Sequence, residues 1–170
     1  MLISDSYREL NQAMHRTNPA FGVSGHRYAP IPQMLMSGHE TADVLDYGCG
    51  KRTLENALGF PITNYDPCIP GLDGRPEPHD IVMCTDVLEH IEPEWLDEVL
   101  ADIRRCTKRV AFLLVATRPA KKTLADGRNA HLIQEPYSWW KARIEGAGFV
   151  IQQAFEAKTE FGVIVKPKEA

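Results

Sequence analysis

At 170 residues the chain is long enough to bury a real core in one domain, and no separate substrate domain is expected within it. Its composition, 44% hydrophobic and 25% charged, is that of an ordinary globular protein and excludes a disordered or fibrous chain. A net charge of −4 argues against broad, nonspecific nucleic-acid binding, and the longest apolar run, residues 110–116, is far too short to span a bilayer.

Residues 1–6 carry neither a basic region nor a following apolar segment, so no secretory signal is expected. Cys49, Cys68, Cys84 and Cys106 form no C-x-x-C pair and read as reduced thiols rather than a disulfide frame or zinc site. The expectation is a cytoplasmic protein without membrane contact. Residues 1–170 are expected to form a single domain, with 1–41 as a helical cover and 42–170 as the core.

Ser4 is placed to cap a helix reaching about Arg16, with Tyr7, Leu10 and Met14 on one stripe. Residues 21–30 then form a glycine-bearing loop that reads either as a connector or as a cover across a pocket. A short helix over residues 32–36 follows.

Residues 42–46 are an apolar run ending at Asp46, and the chain then turns through Gly48 and Gly50 into a helix over 51–58. Strand, glycine turn and helix open a nucleotide-binding α/β sheet. Asp66 ends the next apolar run, where a carboxylate can accept hydrogen bonds from both hydroxyls of a ribose. A dinucleotide fingerprint needs a third glycine, and Thr53 stands there instead. That tells against a reductase.

Residues 67–78 are dense in proline and glycine and exclude a helix, and a strand over 80–85 follows at once. Asp86, Glu89 and His90 come next, at the i, i+3, i+4 spacing that shares one face of a helical turn. Pro93 suits the first turn of a helix whose buried stripe is Leu96, Val99, Leu100 and Ile103. Arg104, Arg105, Lys108 and Arg109 gather at its C-terminal end, where cations complement the helix dipole.

Residues 110–116 are a central strand that empties into a loop carrying Arg118, Lys121, Lys122, Arg128 and His131. Loops leaving the carboxyl end of such strands bind ligands. A helix over 136–147 presents Tyr137, Trp140 and Ile144 inward, and Trp139 either stacks a base or sugar or simply packs. Two alternating strands, 149–157 and 160–166, close the chain.

The segment Val44-Leu45-Asp46-Tyr47-Gly48-Cys49-Gly50-Lys51 resembles the first motif of class I S-adenosylmethionine-dependent methyltransferases, including compact members from phages and bacteria. Asp86-Val87-Leu88-Glu89-His90 is similar to their post-strand motif, and the last two strands are similar to the family's ending. Many members carry glycine where this chain has Arg52. The resemblance implies a Rossmann-like α/β fold with a six-stranded, mostly parallel sheet and an antiparallel C-terminal strand. It would lack the usual third strand, since residues 67–78 leave no room for it. The cofactor implied is S-adenosylmethionine, bound by Asp46, Tyr47, Gly48, Cys49, Gly50, Asp66, Pro67, Thr85, Asp86 and Val87.

The acceptor is an unidentified small molecule or anionic ligand, such as a nucleotide or RNA end, and O-methylation is expected. Arg118, Arg128 and His131 are the substrate candidates. His90 is the candidate general base, with Glu89 beside it. Alternatively Asp86, Glu89, His90 and His131 hold a divalent cation, an arrangement similar to the metal site of small-RNA 3′-terminal 2′-O-methyltransferases and of some ubiquinone O-methyltransferases. Asp86 stands where those RNA enzymes have a glutamate. A rival of another class is a non-catalytic cofactor-binding subunit or sensor.

Overall fold

The computed structural model describes residues 2–169, so Met1 and Ala170, the ends of the expected 1–170 unit, lie outside the described residues. Six strands form one sheet in the order β2-β1-β3-β4-β6-β5. Strands β1 (Val44–Tyr47), β2 (Thr63–Tyr65), β3 (His79–Thr85) and β4 (Thr107–Ala116) run parallel. Strand β6 (Glu160–Pro167) is antiparallel to both β4 and β5 (Phe149–Glu156). The register places Leu45 between Thr63 of β2 and Val82 of β3.

The central strands are apolar on both faces because helices cover both. Alternation with period two sends Leu45, Val82, Leu113 and Val115 to one face, with Leu100 of α4 (Leu96–Cys106) and Trp140 of α5 (Tyr137–Gly146). Ile81, Met83, Phe112 and Leu114 go to the other, under α2 (Pro30–His39) and α3 (Thr53–Leu58). Trp139 packs under the Arg143 guanidinium at 4.9 Å, which answers its two readings in favour of packing.

No strand forms between Asp66 and β3, as the proline-rich composition predicts. The loop that stands there is tied down by one buried carboxylate. Asp102 accepts from the Arg75 guanidinium at 2.7 Å, from Arg105 at 2.9 Å and from the Tyr47 hydroxyl at 2.9 Å. Burial works to raise its pKa, but these donors hold it below the ordinary carboxylate value. Arg105 also donates to the Pro76 carbonyl at 2.9 Å, closing the loop against α4.

Among the boundaries that differ from the sequence reading, two stand out. Helix α2 starts at Pro30, because a proline in the first turn gives up no intrahelical hydrogen bond. Strand β4 begins at Thr107, directly after α4, so Lys108 and Arg109 belong to the strand rather than to a helix end. Lys108 pairs with Asp43 at 3.3 Å and Arg109 donates to the His39 carbonyl at 2.7 Å. Both lie at the amino end of β4, away from the carboxyl ends where the cavity opens.

Helix α1 (Asp5–Thr17) is capped as expected, with Ser4 Oγ accepting from the Tyr7 N–H at 3.1 Å. Its buried residues are Tyr7 and Asn11 rather than the stripe through Leu10. The helix lies over a cavity instead of a sheet face, so polar residues occupy its inner side. All four cysteines are free and buried. No helix among the described residues is long and apolar enough to cross a membrane.

Candidate active site

The turn after β1 hangs from β2: the N–H groups of Gly48 and Cys49 both donate to the Tyr65 carbonyl, at 2.7 and 3.0 Å. Gly48 and Gly50 have φ of +83° and +52°, and a Cβ on Gly48 would overlap the Val87 side chain. A Cβ on Gly50 would run into the backbone of Gly22, whose carbonyl accepts the Lys51 N–H at 2.8 Å. The resemblance implies that both glycines bind the cofactor. The structure also requires them for the chain's own crossing. Arg52 takes φ +55° ahead of α3, a left-handed position that accounts for the glycine of related sequences there.

A cavity of about 420 Å³ opens at the carboxyl ends of β1, β2 and β3. Asp46 lies on its floor, and burial, reinforced by the charges of Asp66 and Glu55, pushes its pKa up to about 7. Asp66 spends one hydrogen bond on each oxygen: Oδ1 accepts from the Cys68 N–H at 2.9 Å and Oδ2 from the Gly50 N–H at 3.1 Å. Each oxygen keeps a further lone pair. Cys49, Pro67, Thr85 and Val87 also line the cavity. Tyr47 does not, since its side chain turns away to Asp102 and packs edge-on against Tyr65 at 4.8 Å.

Residues 21–25 lie across this cavity, and Tyr7, Asn11 and His15 of α1 wall it from the same side. Of the two readings of this loop, the geometry is that of a cover. Nothing in the sequence singles out Asn11 or His15, although their i, i+4 spacing from Tyr7 is the one available signal.

The four residues Asp86, Glu89, His90 and His131 come together, one donor atom from each lying within 4.8 Å of the others. The backbone route is not the expected helical turn. Asp86 adopts φ +61°, and a short 3₁₀ turn over Leu88–His90 then swings Glu89 and His90 back toward it. Oδ2 of Asp86 accepts from the Ser24 hydroxyl at 3.0 Å. Burial works against its charge, but His90, Ser24, Glu89 and His131 hold its pKa below the ordinary value.

Glu89 is fully buried; Oε1 accepts from the Ala116 N–H at 2.8 Å, and Oε2 has no donor among the described residues. Burial, then Asp86, raises its pKa well above the ordinary value. His90 Nδ1 lies 2.7 Å from the Ala130 carbonyl and His131 Nδ1 lies 2.6 Å from the Arg118 carbonyl. A carbonyl accepts only, so each Nδ1 carries the proton and each Nε2 is left as a lone pair. The rings meet edge to face at 4.8 Å. Burial drops the His90 pKa to about 4.

The basic residues divide. Arg118 and Lys121 stand exposed at the cavity mouth, together with Arg27, which the sequence reading did not single out. Lys122 donates to the Ala20 carbonyl at 2.5 Å and sits 5.2 Å from the Phe21 ring centre, holding the cover down. Arg128, expected at the substrate, is paired instead with Asp126 at 2.7 Å and lies 5.6 Å from the Tyr7 ring centre.

A family model described as a methyltransferase domain matches residues 21–159. No curated protein matches the sequence. Among solved structures, the Burkholderia thailandensis 1,6-didemethyltoxoflavin-N1-methyltransferase with bound 1,6-didemethyltoxoflavin and S-adenosylhomocysteine superposes with TM-score 0.67 at 15% identity, covering 96% of this chain and 90% of that one. The DhpI–S-adenosylhomocysteine complex superposes with TM-score 0.70 at 18% identity, covering 98% and 100%. Magnesium protoporphyrin IX methyltransferase of Synechocystis PCC 6803 with bound S-adenosylmethionine gives 0.64 at 13% identity, covering 95% and 97%. A strand, glycine turn and acid in this order, on a sheet of this topology, and a family model that spans most of the chain lead to one assignment: the chain belongs to the class I S-adenosylmethionine-dependent methyltransferases.

Proposed function

We propose that the protein transfers the methyl group of S-adenosylmethionine to a hydroxyl of an anionic acceptor, with a divalent cation held by Asp86, Glu89, His90 and His131. Nucleotides and RNA ends belong to that acceptor class. The observation that carries the reading is Glu89 Oε2, a fully buried carboxyl oxygen with no hydrogen-bond partner among the described residues. Leaving such a group unpaired costs ~1–3 kcal/mol or more, and a cation beside it removes that cost.

The donor set supports the same reading. Two carboxylates and two imidazole Nε2 atoms converge, and each imidazole is fixed from behind by its Nδ1–H on a backbone carbonyl. Metal-ligating histidines are oriented in this way. Mixed oxygen and nitrogen donors favour manganese, cobalt or zinc over calcium. When bound, a divalent cation would acidify the acceptor hydroxyl and hold its oxygen in place.

The chain's own residues do the rest. Asp46 accepts from the ammonium group of the cofactor, and Asp66 accepts from its ribose. The sulfonium already activates the methyl group, so the protein's task is to align acceptor and cofactor for in-line displacement. Arg27, Arg118 and Lys121 offer positive charge to an anionic group at the mouth. His90 as an unassisted base is the weaker reading, because a base near pKa 4 is far from the range that serves proton abstraction at neutral pH.

The test has two parts. Calorimetry with Mn²⁺ on the S-adenosylhomocysteine complex is expected to show one ion per chain, lost in Glu89→Gln. Labelled cofactor incubated with a whole-cell metabolite or RNA extract should mark an anionic fraction through an oxygen, with transfer stopped by a chelator and restored by Mn²⁺. Transfer that persists under chelation overturns the cation, and label on nitrogen or carbon overturns the acceptor chemistry.

A further inference from the structure

We infer that Asn11 of helix α1 reads the adenine ring of the cofactor. The inference rests on the adenosyl cofactor of the assigned family occupying the cavity with its ribose at Asp66. Helix α1 crosses the cavity from one side of that anchor. His15 comes first, its Nε2 lying 3.9 Å from Asp66 Oδ2. One turn back along the helix, ~6 Å, stands Asn11, and a further turn back stands Tyr7.

A base attached to a ribose at Asp66 reaches the end of the cavity bounded by Ile3, Tyr7, Pro67, Cys68 and Ile91. That end is largely apolar, and most of its strong hydrogen-bonding groups are already committed. Pro67 has no N–H, and its carbonyl accepts from the Arg8 guanidinium. The Cys68 N–H goes to Asp66 Oδ1, and the Tyr7 hydroxyl donates to the His90 carbonyl. The Cys68 thiol, free and buried, is only a weak donor or acceptor.

Asn11 is the exception. It is buried and lines the cavity, and its Nδ2 donates to the Tyr7 carbonyl at 3.1 Å. That contact fixes which end of the amide is nitrogen, since a carbonyl cannot accept from Oδ1. The amide oxygen and the second N–H are therefore left, and no hydrogen bond is made to Oδ1 among the described residues. An acceptor beside a donor in one plane matches the N6 amino group and adjacent ring nitrogen of adenine, the pairing that asparagine makes with that base elsewhere. Hypoxanthine presents a carbonyl in place of the amino group, and two acceptors would then face each other.

The test compares S-adenosylhomocysteine with S-inosylhomocysteine by calorimetry on the full chain. Wild-type protein should prefer the adenine compound by roughly 5- to 150-fold, the span of a good bidentate amide–adenine pair. Asn11→Leu, which keeps the branched shape without the hydrogen-bonding atoms and is the better helix former, should bring the two affinities within about twofold while still binding both. Asn11→Asp retains the acceptor but not the N–H, and should fall between. A wild-type ratio near one overturns the inference whatever the variants do, as does an unchanged ratio in Asn11→Leu. Loss of both ligands in wild type would instead overturn the cofactor placement itself.

Discussion

Gly22 and Gly50 touch backbone to backbone. The Gly22 carbonyl takes the Lys51 N–H at 2.8 Å, and neither residue has space for a side chain. The glycine turn of the cofactor site and the cover above it are thus one packed unit, although 28 positions separate them in sequence. Any side chain at Gly50 pushes the cover away from the turn.

Gly50→Ala is expected to act on fold and cofactor together. The residue holds φ +52°, so alanine adds backbone strain of ~1–2 kcal/mol to the overlap with Gly22. Thermal denaturation should show a lower Tm, and S-adenosylhomocysteine affinity should drop by at least tenfold. Gly38→Ala is the control: an added Cβ there meets nothing within 4 Å, and alanine in a helix gains ~0.5–1 kcal/mol over glycine. Wild-type cofactor affinity in Gly50→Ala would show that the crossing is not needed for the site.

Periodicity was sufficient for the sheet. The apolar runs at β1, β3 and β4 are buried on both faces, so their type can be read without tertiary knowledge. The proline-rich stretch excluded the third strand for the same local reason. The cover was harder to read, because its inner face is chosen by a cavity rather than by a hydrophobic stripe. Asn11 and His15 look like solvent-facing residues of an amphipathic helix until the helix is placed over Asp66. Arg128 failed in the opposite direction: it has the right charge and loop, but Asp126, two residues away, takes its guanidinium. Asp86, Glu89 and His90 converge with His131, though through a left-handed residue and a 3₁₀ turn that the helical spacing does not reveal.

Asp46 predicts a pH dependence of cofactor binding. Its folded pKa of about 7 lies above the ordinary carboxylate value, so the free protein holds this proton more tightly than the unfolded chain does. Stability from this group is therefore full at low pH and is lost as pH rises through about 7. The cofactor's ammonium favours the carboxylate form, so binding should release a proton below that pH. Affinity for S-adenosylhomocysteine should rise by up to about tenfold per pH unit between pH 5.5 and 7 and then level off. Asp46→Asn should bind more weakly and show a flat profile. A flat wild-type profile, with no buffer-dependent proton release in calorimetry, would place the ammonium elsewhere.

The basic residues separate by partner. Arg118→Ala and Lys121→Ala together remove charge that has no carboxylate partner among the described ion pairs, so the acceptor's KM should rise and its salt dependence flatten. Cofactor affinity should stay within about twofold. Arg128→Ala removes a side chain spent on Asp126 and Tyr7, and should leave the acceptor's KM unchanged while lowering Tm slightly. A larger KM effect from Arg128 than from Arg118 and Lys121 would reverse the assignment of the mouth.

Glu89 supplies a test of the cation that needs no acceptor. Burial and the charge of Asp86 raise its folded pKa well above the unfolded value, so ionising it destabilises the metal-free fold. Its stabilising proton is fully bound below the unfolded carboxylate pKa and is lost as pH rises through the folded value. A divalent cation needs the ionised form, so binding displaces that proton and strengthens as pH rises. Addition of Mn²⁺ to the S-adenosylhomocysteine complex should therefore raise Tm more at pH 8 than at pH 6. Glu89→Gln keeps the acceptor for the Ala116 N–H and nearly the same volume, yet cannot ionise. Without metal it should be at least as stable as wild type at pH 8, and Mn²⁺ should leave its Tm unchanged. His131→Ala should also lose the Mn²⁺ response, because it removes one of the four converging donors. If His90 worked instead as a free base, Mn²⁺ would shift no melting curve at either pH. His90→Ala alone would then lower kcat by roughly 10²–10⁴-fold, and His131→Ala would be mild.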